Sequence, residues 1–496
     1  MRLDSGSPDF DNDATGDDQH MSDDAAVMAN GSISMRTTAP RTTIRNGRTA
    51  DTRFGRGREV DHDPGHGTAA TIAAGVRDGV LLPSLVMAEA ATRIAAAERE
   101  SNALPVLRTE RVMSEAVALA DRDDLDVLPL AGVPVAVEQG ASIAGEPLPW
   151  ESVAGHPVAA RLRDAGAVVL ALGAADEQDG SGSGRAPDRV APNPWNTART
   201  AGGSAGAAVA AGLVPLAHGS DGLDSVRVAA ACCGVFGIKP GCYTAAGAGG
   251  WPGLVENGVL ATTVQDAALA LSVLAAWPNL AEVDPPGRLR IGLAVDPPSR
   301  LLRVDRHWTA AARRAASVAA AAGHLVETTA VPYGNALFAV FLRWLAVGAR
   351  DAPALPRSAR LSRQPHLALG RTVHQLRLVR PAQIDLVEAR LLEFFDRYDV
   401  VITPTLAAPP PKAEAWHSRG RPATLLAGAR FAPFTPLWNL IGWPAASVPM
   451  GMHPSSGTPV AAQLAGPPGS ESTLLRLAAQ LEARHPWPRT APSVRR

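Results

Sequence analysis

Residues 193–241 read NPWNTARTAGGSAGAAVAAGLVPLAHGSDGLDSVRVAAACCGVFGIKPG. The stretch runs from a Gly/Ser-rich loop through an alanine-rich helix and a second Gly/Ser turn to a short strand ending in Ile-Lys-Pro. This is the local chemistry of an acyl-transfer site. Small residues let backbone N–H groups approach a substrate oxygen closely. Serines in such turns serve as nucleophile or proton relay. Gly202 to Gly206 also match the G-x-S-x-G pattern of a nucleophile elbow, but no apolar strand precedes them, so that reading carries little weight.

On either side of this stretch the chain alternates short apolar runs with amphipathic ones. Residues 133–137, 168–172, 290–295 and 400–404 read as buried strands. Helices are expected over 81–97, entering after Pro83, over 381–395 with proline in the first turn, and over 470–483. Such alternation implies α/β layering, a sheet with helices on both faces. Residues 1–67 differ. An acidic segment from Met1 to Asp24 gives way to an Arg- and Thr-rich one with few large apolar side chains. Burial there could not offset the entropy of ordering, so a disordered N-terminal extension is expected. Met21, Met28 and Met35 offer later start points. Residues 68–496 read as one folded domain.

A formal net charge of −1 gives no nucleic-acid footprint. No apolar run approaches the roughly 18–20 residues that span a bilayer. Cys232, Cys233 and Cys242 are an odd, clustered set, expected to be buried free thiols, with the first two packed in an apolar strand. No histidine cluster at metal spacing accompanies them. The expectation is a cytoplasmic protein. Oligomeric state is open.

Residues 193–241 resemble the amidase signature, whose core runs from a Gly/Ser loop through an alanine-rich helix to G-[ST]-D-x-G-G-S-[IV]-R. Further segments are similar to the same family in the same order. Residues 129–138 resemble its lysine strand, 156–172 its next helix and strand, and 398–405 a later core strand. Residues 434–450 and 459–475 resemble its C-terminal part. The resemblance covers roughly residues 75–490. It implies an amidase-signature fold, a large mixed β-sheet covered by helices on both faces. It also implies hydrolysis of amides by a serine, a second serine preceded by a cis peptide bond, and a lysine, without metal or cofactor.

Carried over residue by residue, the resemblance assigns Ser225 as the nucleophile position, with Asp221 and Arg227 matching around it. Gly222, Leu223 and Asp224 fall on the oxyanion-hole positions, where the family prefers glycine. Leu223 and Asp224 crowd such a turn, and a carboxylate beside a developing oxyanion has the wrong sign. The loop before the alanine-rich helix is a few residues shorter than the family's. Counting without a gap puts Ala201 in the bridging slot, whereas a shifted gap brings Ser204 there as a possible relay. Glu138 replaces the family lysine. The chain has only two lysines, Lys239 in Ile-Lys-Pro and Lys412 in a proline-rich loop, and neither suits the role. His218, Asp221 and Ser225 invite a Ser–His–Asp reading. The bland alternative, a histidine ending its strand and pointing away, is preferred.

The reading that follows is an amidase-family protein whose hydrolysis is weak or absent. The alternatives are an amidase with a relay rearranged around Ser225, using Ser204, His218 or Glu138, and a ligand-binding or ligand-modifying protein of a biosynthetic pathway. Glu138 is expected at the end of a central strand near Ser225, substantially buried, with Arg227 or Arg199 as its partner. The substrate pocket is expected to be lined by 143–156, 176–192 and 409–430.

Overall fold

The computed structural model describes residues 67–101, 103–104, 106–138, 157–173, 191–222, 226–242, 244, 254–351, 364–413 and 427–492. The N-terminal extension expected at 1–67 lies outside the described residues except for Gly67. So do 143–156 and most of the other two segments expected to line a pocket.

Eleven strands form one mixed sheet in the order β1-β3-β2-β6-β8-β7-β12-β13-β11-β9-β10. They are β1 (Val106–Leu107), β2 (Pro134–Glu138), β3 (Val168–Gly173), β6 (Leu216–Asp221), β7 (Phe236–Lys239), β8 (Glu256–Ala261), β9 (Arg290–Leu293), β10 (Leu325–Thr328), β11 (Val400–Pro404), β12 (Ala445–Met452) and β13 (Pro459–Ala465). A separate two-stranded sheet pairs β4 (Pro192–Asn193) with β5 (Asn196–Thr200). Strand β2 runs parallel to β3 and β6, whereas β6, β8, β7, β12, β13 and β11 are successively antiparallel.

The helices are α1 (Ala69–Arg77), α2 (Pro83–Ser101), α3 (Thr109–Ala120), α4 (Pro157–Asp164), α5 (Ser204–Ala210), α6 (Arg227–Cys233), α7 (Val264–Ala275), α8 (Arg306–Ala321), α9 (Ala336–Asp351), α10 (Gln364–Gln375), α11 (Ala382–Phe395), α12 (Pro436–Leu440) and α13 (Glu471–Arg484). Helices α5 and α6 pack on each other and on the sheet centre, while α7, α8 and α13 form a second layer against the same strands. Towards the other edge α2, α3 and α4 pack on β3, Val-Val-Leu-Ala-Leu-Gly, which is buried at every position.

The expected strands and helices fall on β2, β3, β9, β11, α2, α11 and α13 within a few residues. One expectation fails. Cys232 and Cys233 sit in helix α6 and not in a strand. The run Arg227-Val-Ala-Ala-Ala-Cys-Cys is short and apolar, and alanine is the best helix former. Both thiols are buried and Cys242 is half-buried, and none of the three is in a disulfide. No helix among the described residues is long and apolar enough to cross a membrane.

Candidate active site

Strand β2 carries Glu138 as its last residue, between β3 and β6. The parallel register sets Val137 beside His218 on β6, so Glu138 lies level with Gly219. Its Oε2 accepts the backbone N–H of Ser220 at 2.5 Å. A Cβ on Gly219 would meet that oxygen at 3.4 Å and Val226 Cγ2 at 3.2 Å. On the other side Glu138 is paired in the ladder with Gly173, where a Cβ would come within 2.9 Å of Ser204 Oγ. Gly219 and Gly173 thus leave the space that the carboxylate and the serine hydroxyl occupy. Glu138, Ser204 and Val226, the residue after Ser225, converge over the ends of β2, β3 and β6. Ser225, Leu223 and Asp224 lie outside the described residues. Gly222 is described and buried at the end of β6.

The expected partner of Glu138 is corrected. Arg227 points into the core, where it is fully enclosed, as is Asp221. Its Nε and Nη2 donate to Asp221 Oδ2 and Oδ1 at 2.9 and 2.8 Å. Nη1 donates to Thr435 O and Gln463 Oε1, both at 3.0 Å, and Nη2 also to Asn439 Oδ1 at 2.5 Å. All five guanidinium hydrogens are thereby used. Arg199 donates to Pro410 O. Glu138 is half-buried, less enclosed than expected, and its Oε2 accepts a backbone amide.

Ser204 is the first residue of α5 and is buried. Ala201 is fully buried in the turn before it, its N–H donating to Ala191 O and its carbonyl accepting the Cys233 thiol. No peptide bond among the described residues is cis.

His218 sits inside β6 and not at its end, with Nε2 at 2.9 Å from Asn257 Oδ1 on β8. Asp221 is three residues further along the same strand, and alternation puts the two on opposite faces of the sheet. Asp221 is committed to Arg227, so the two do not form the His–Asp half of a hydrolytic triad.

Lys239 ends β7 on the Asp221 face. It is fully buried and donates from Nζ to Pro240 O at 2.7 Å. Burial pushes its ammonium down to about 8, the neighbouring Arg227 charge adding to the effect against Asp221 and Glu256. Glu256 faces it from β8, its carboxyl pushed up by burial, and the Cys242 thiol beside it is raised for the same reason. Lys412 is exposed, its backbone bridged to Arg199. Sequence reasoning gave no role to Asn439 and Gln463, which complete the Arg227 network. Each is a lone polar residue within an apolar run, a signal that was available.

With this geometry in place, comparison with known proteins defines the class. A sequence model of the family described as Amidase matches residues 86–475, and the chain belongs to that family. The Mycobacterium tuberculosis protein named "Putative amidase AmiB2" is 36% identical over 461 residues, covering 86% of this chain and 98% of that protein. The solved structure of 6-aminohexanoate cyclic dimer hydrolase with substrate superposes with a TM-score of 0.74 at 23% identity, covering 87% of this chain and 99% of that one. A bacterial aryl acylamidase of the amidase signature family does so at 0.65 and 20% identity, covering 85% and 96%. At these identities the two structures speak for the fold alone.

Proposed function

We propose that this chain keeps the amidase scaffold as a site for a small amide or related ligand and hydrolyses amides weakly or not at all. The observation that carries the reading is Glu138. In the position of the family lysine stands a carboxylate whose Oε2 receives the Ser220 N–H. A relay lysine must be neutral, take the serine proton and return it to the leaving nitrogen. A carboxylate is ordinarily a far weaker base than a neutral lysine amine, and its charge opposes an adjacent alkoxide. Neither lysine of the chain replaces it. Lys239 is enclosed on Pro240 O, and Lys412 is exposed beside Arg199. Leu223 and Asp224 in the oxyanion-hole positions weaken the second requirement of acyl transfer. Three cysteines kept as thiols suit a reducing compartment, the cytoplasm.

One observation favours a second reading, a hydrolase with a rearranged relay. Ser204 Oγ lies against Gly173, the ladder partner of Glu138, so a serine does stand at this end of β2. A fluorophosphonate probe separates the two, because it reports an activated hydroxyl. Slow or absent labelling and negligible turnover of simple aliphatic and aromatic amides are expected. Rapid stoichiometric labelling abolished by Ser225→Ala would overturn the proposal, and dependence on Ser204 would identify the relay. With Ala201 read into the bridging slot, the single variant Glu138→Lys is expected to remain inactive, and a clear gain of hydrolysis would show that Ser204 is the relay.

A further inference from the structure

We propose that Asp305, His307 and His453 bind one divalent transition-metal ion of the zinc class, clamping the start of α8 to the turn between β12 and β13. Asp305 caps α8, its Oδ1 accepting the His307 N–H at 2.7 Å. His307 follows in the first turn. His453 comes immediately after β12, in a turn closed by its N–H to Thr458 O at 2.8 Å and by Gly457 N–H to its carbonyl at 2.9 Å. One donor atom from each of the three lies within 4.8 Å of the other two. The His307 and His453 rings meet edge to face, with centroids 4.8 Å apart.

The observation pointing to a ligand is His453 Nε2. The side chain is only 3% exposed, and this nitrogen has no hydrogen-bond partner. It faces Asp305 Oδ1 at 3.5 Å. A buried polar atom left unpaired is costly. In a tetrahedral site with bonds of about 2.0–2.1 Å, ligand atoms stand about 3.3–3.4 Å apart, so this pair is already at coordination spacing. Two imidazoles and a carboxylate suit Zn²⁺, Co²⁺ or Ni²⁺ better than the all-oxygen preference of Ca²⁺ and Mg²⁺ or the thiolate preference of Cu(I).

The hydrogen bonds around the rings set what binding requires. His453 Nδ1 accepts from Ser456 N–H at 3.2 Å, which places the ring proton on Nε2. A metal on Nε2 moves that proton to Nδ1. Ser455 Oγ, 3.3 Å away, accepts it as the outer partner, and the Ser456 bond is lost. On the other side Arg306 Nε donates to His307 Nε2 at 3.2 Å on the exposed surface and competes with the ion.

The test uses full-length, tag-free protein stripped with a chelator, titrated with Zn²⁺ by calorimetry and with Co²⁺ by visible absorption. One ion per chain is expected, with Co²⁺ bands of nitrogen and oxygen ligation and no thiolate charge-transfer band. His453→Ala and His307→Ala should each weaken binding by more than about 100-fold, and Ser455→Ala by about tenfold. Arg306→Ala removes an exposed side chain and should tighten binding several-fold, an effect that a folding defect would not give. No saturable binding, thiolate bands, unchanged affinity in His453→Ala, or no gain in Arg306→Ala would each overturn the assignment.

Discussion

Replacing Arg227 by methionine removes a guanidinium whose five hydrogens all bond within the core. Asp221 would keep Asn439 Nδ2 on Oδ1 at 3.0 Å and the backbone N–H of residue 227 on Oδ2 at 3.3 Å, but no hydrogen-bonded cation, the nearby Lys239 donating to Pro240 O. Thr435 O, Gln463 Oε1 and Asn439 Oδ1 would each lose a donor. Breaking a buried pair from one side costs about 3–5 kcal/mol, because the remaining charge stays uncompensated. The double variant Asp221→Asn with Arg227→Met removes that charge and should recover about 1–3 kcal/mol of the loss. Urea denaturation followed by tryptophan fluorescence at neutral pH measures both, provided that the slopes agree. Acid adds a second readout. Burial alone would raise the Asp221 carboxyl, but Arg227, by charge and hydrogen bonds, and then Asn439 outweigh it and hold it below the usual range. A depressed folded pKa gives stability that is complete above the unfolded value of about 3.9 and lost as pH falls through the folded one. Wild type should lose this contribution on acidification, whereas Arg227→Met should gain stability as its unpaired carboxylate protonates. A single-variant loss under about 1 kcal/mol, or a double variant no more stable than the single, would refute the reasoning.

Three further outcomes concern the sheet and its buried charges. Glu138→Ala leaves the Ser220 N–H without its acceptor and should cost about 1–3 kcal/mol, while Glu138→Gln, which keeps an acceptor oxygen, should cost under about 1 kcal/mol in the same urea assay. Lys239 is pushed down to about 8 by burial. Its folded pKa lies below the unfolded value, so wild-type stability should rise between about pH 8 and pH 10.4 by roughly 3 kcal/mol, and Lys239→Met should abolish that rise in a pH series of unfolding curves. Gly237→Ala would set a Cβ 2.6 Å from Ala230 Cβ and 3.1 Å from Val226 O, between β7 and α6. A destabilisation of about 1–3 kcal/mol is expected from overpacking, read as a lowered urea midpoint.

The elements with clear periodicity were legible in one dimension, β2, β3, β9 and β11 among the strands and α2, α11 and α13 among the helices, and through them the layered class. Hydrophobic spacing is a local property, and local pattern suffices where a run is apolar and bounded. Cys232 and Cys233 show its limit, since a short apolar run does not by itself distinguish a buried helix from a buried strand. The replacement of lysine by Glu138 was equally legible, because it is an identity at a position. Its partner was not. Ser220 is 82 residues away and meets Glu138 only because β6 lies parallel beside β2. The separation of His218 from Asp221 needed the knowledge that β6 stays extended through both, after which alternation decides it. Arg227 closing on Asn439 and Gln463, and His453 meeting Asp305 and His307, join segments more than a hundred residues apart. Such contacts depend on how strands are ordered and which faces their helices cover. A one-dimensional pattern carries no distance between two such segments, and only burial in a shared core brings their charges and lone pairs together.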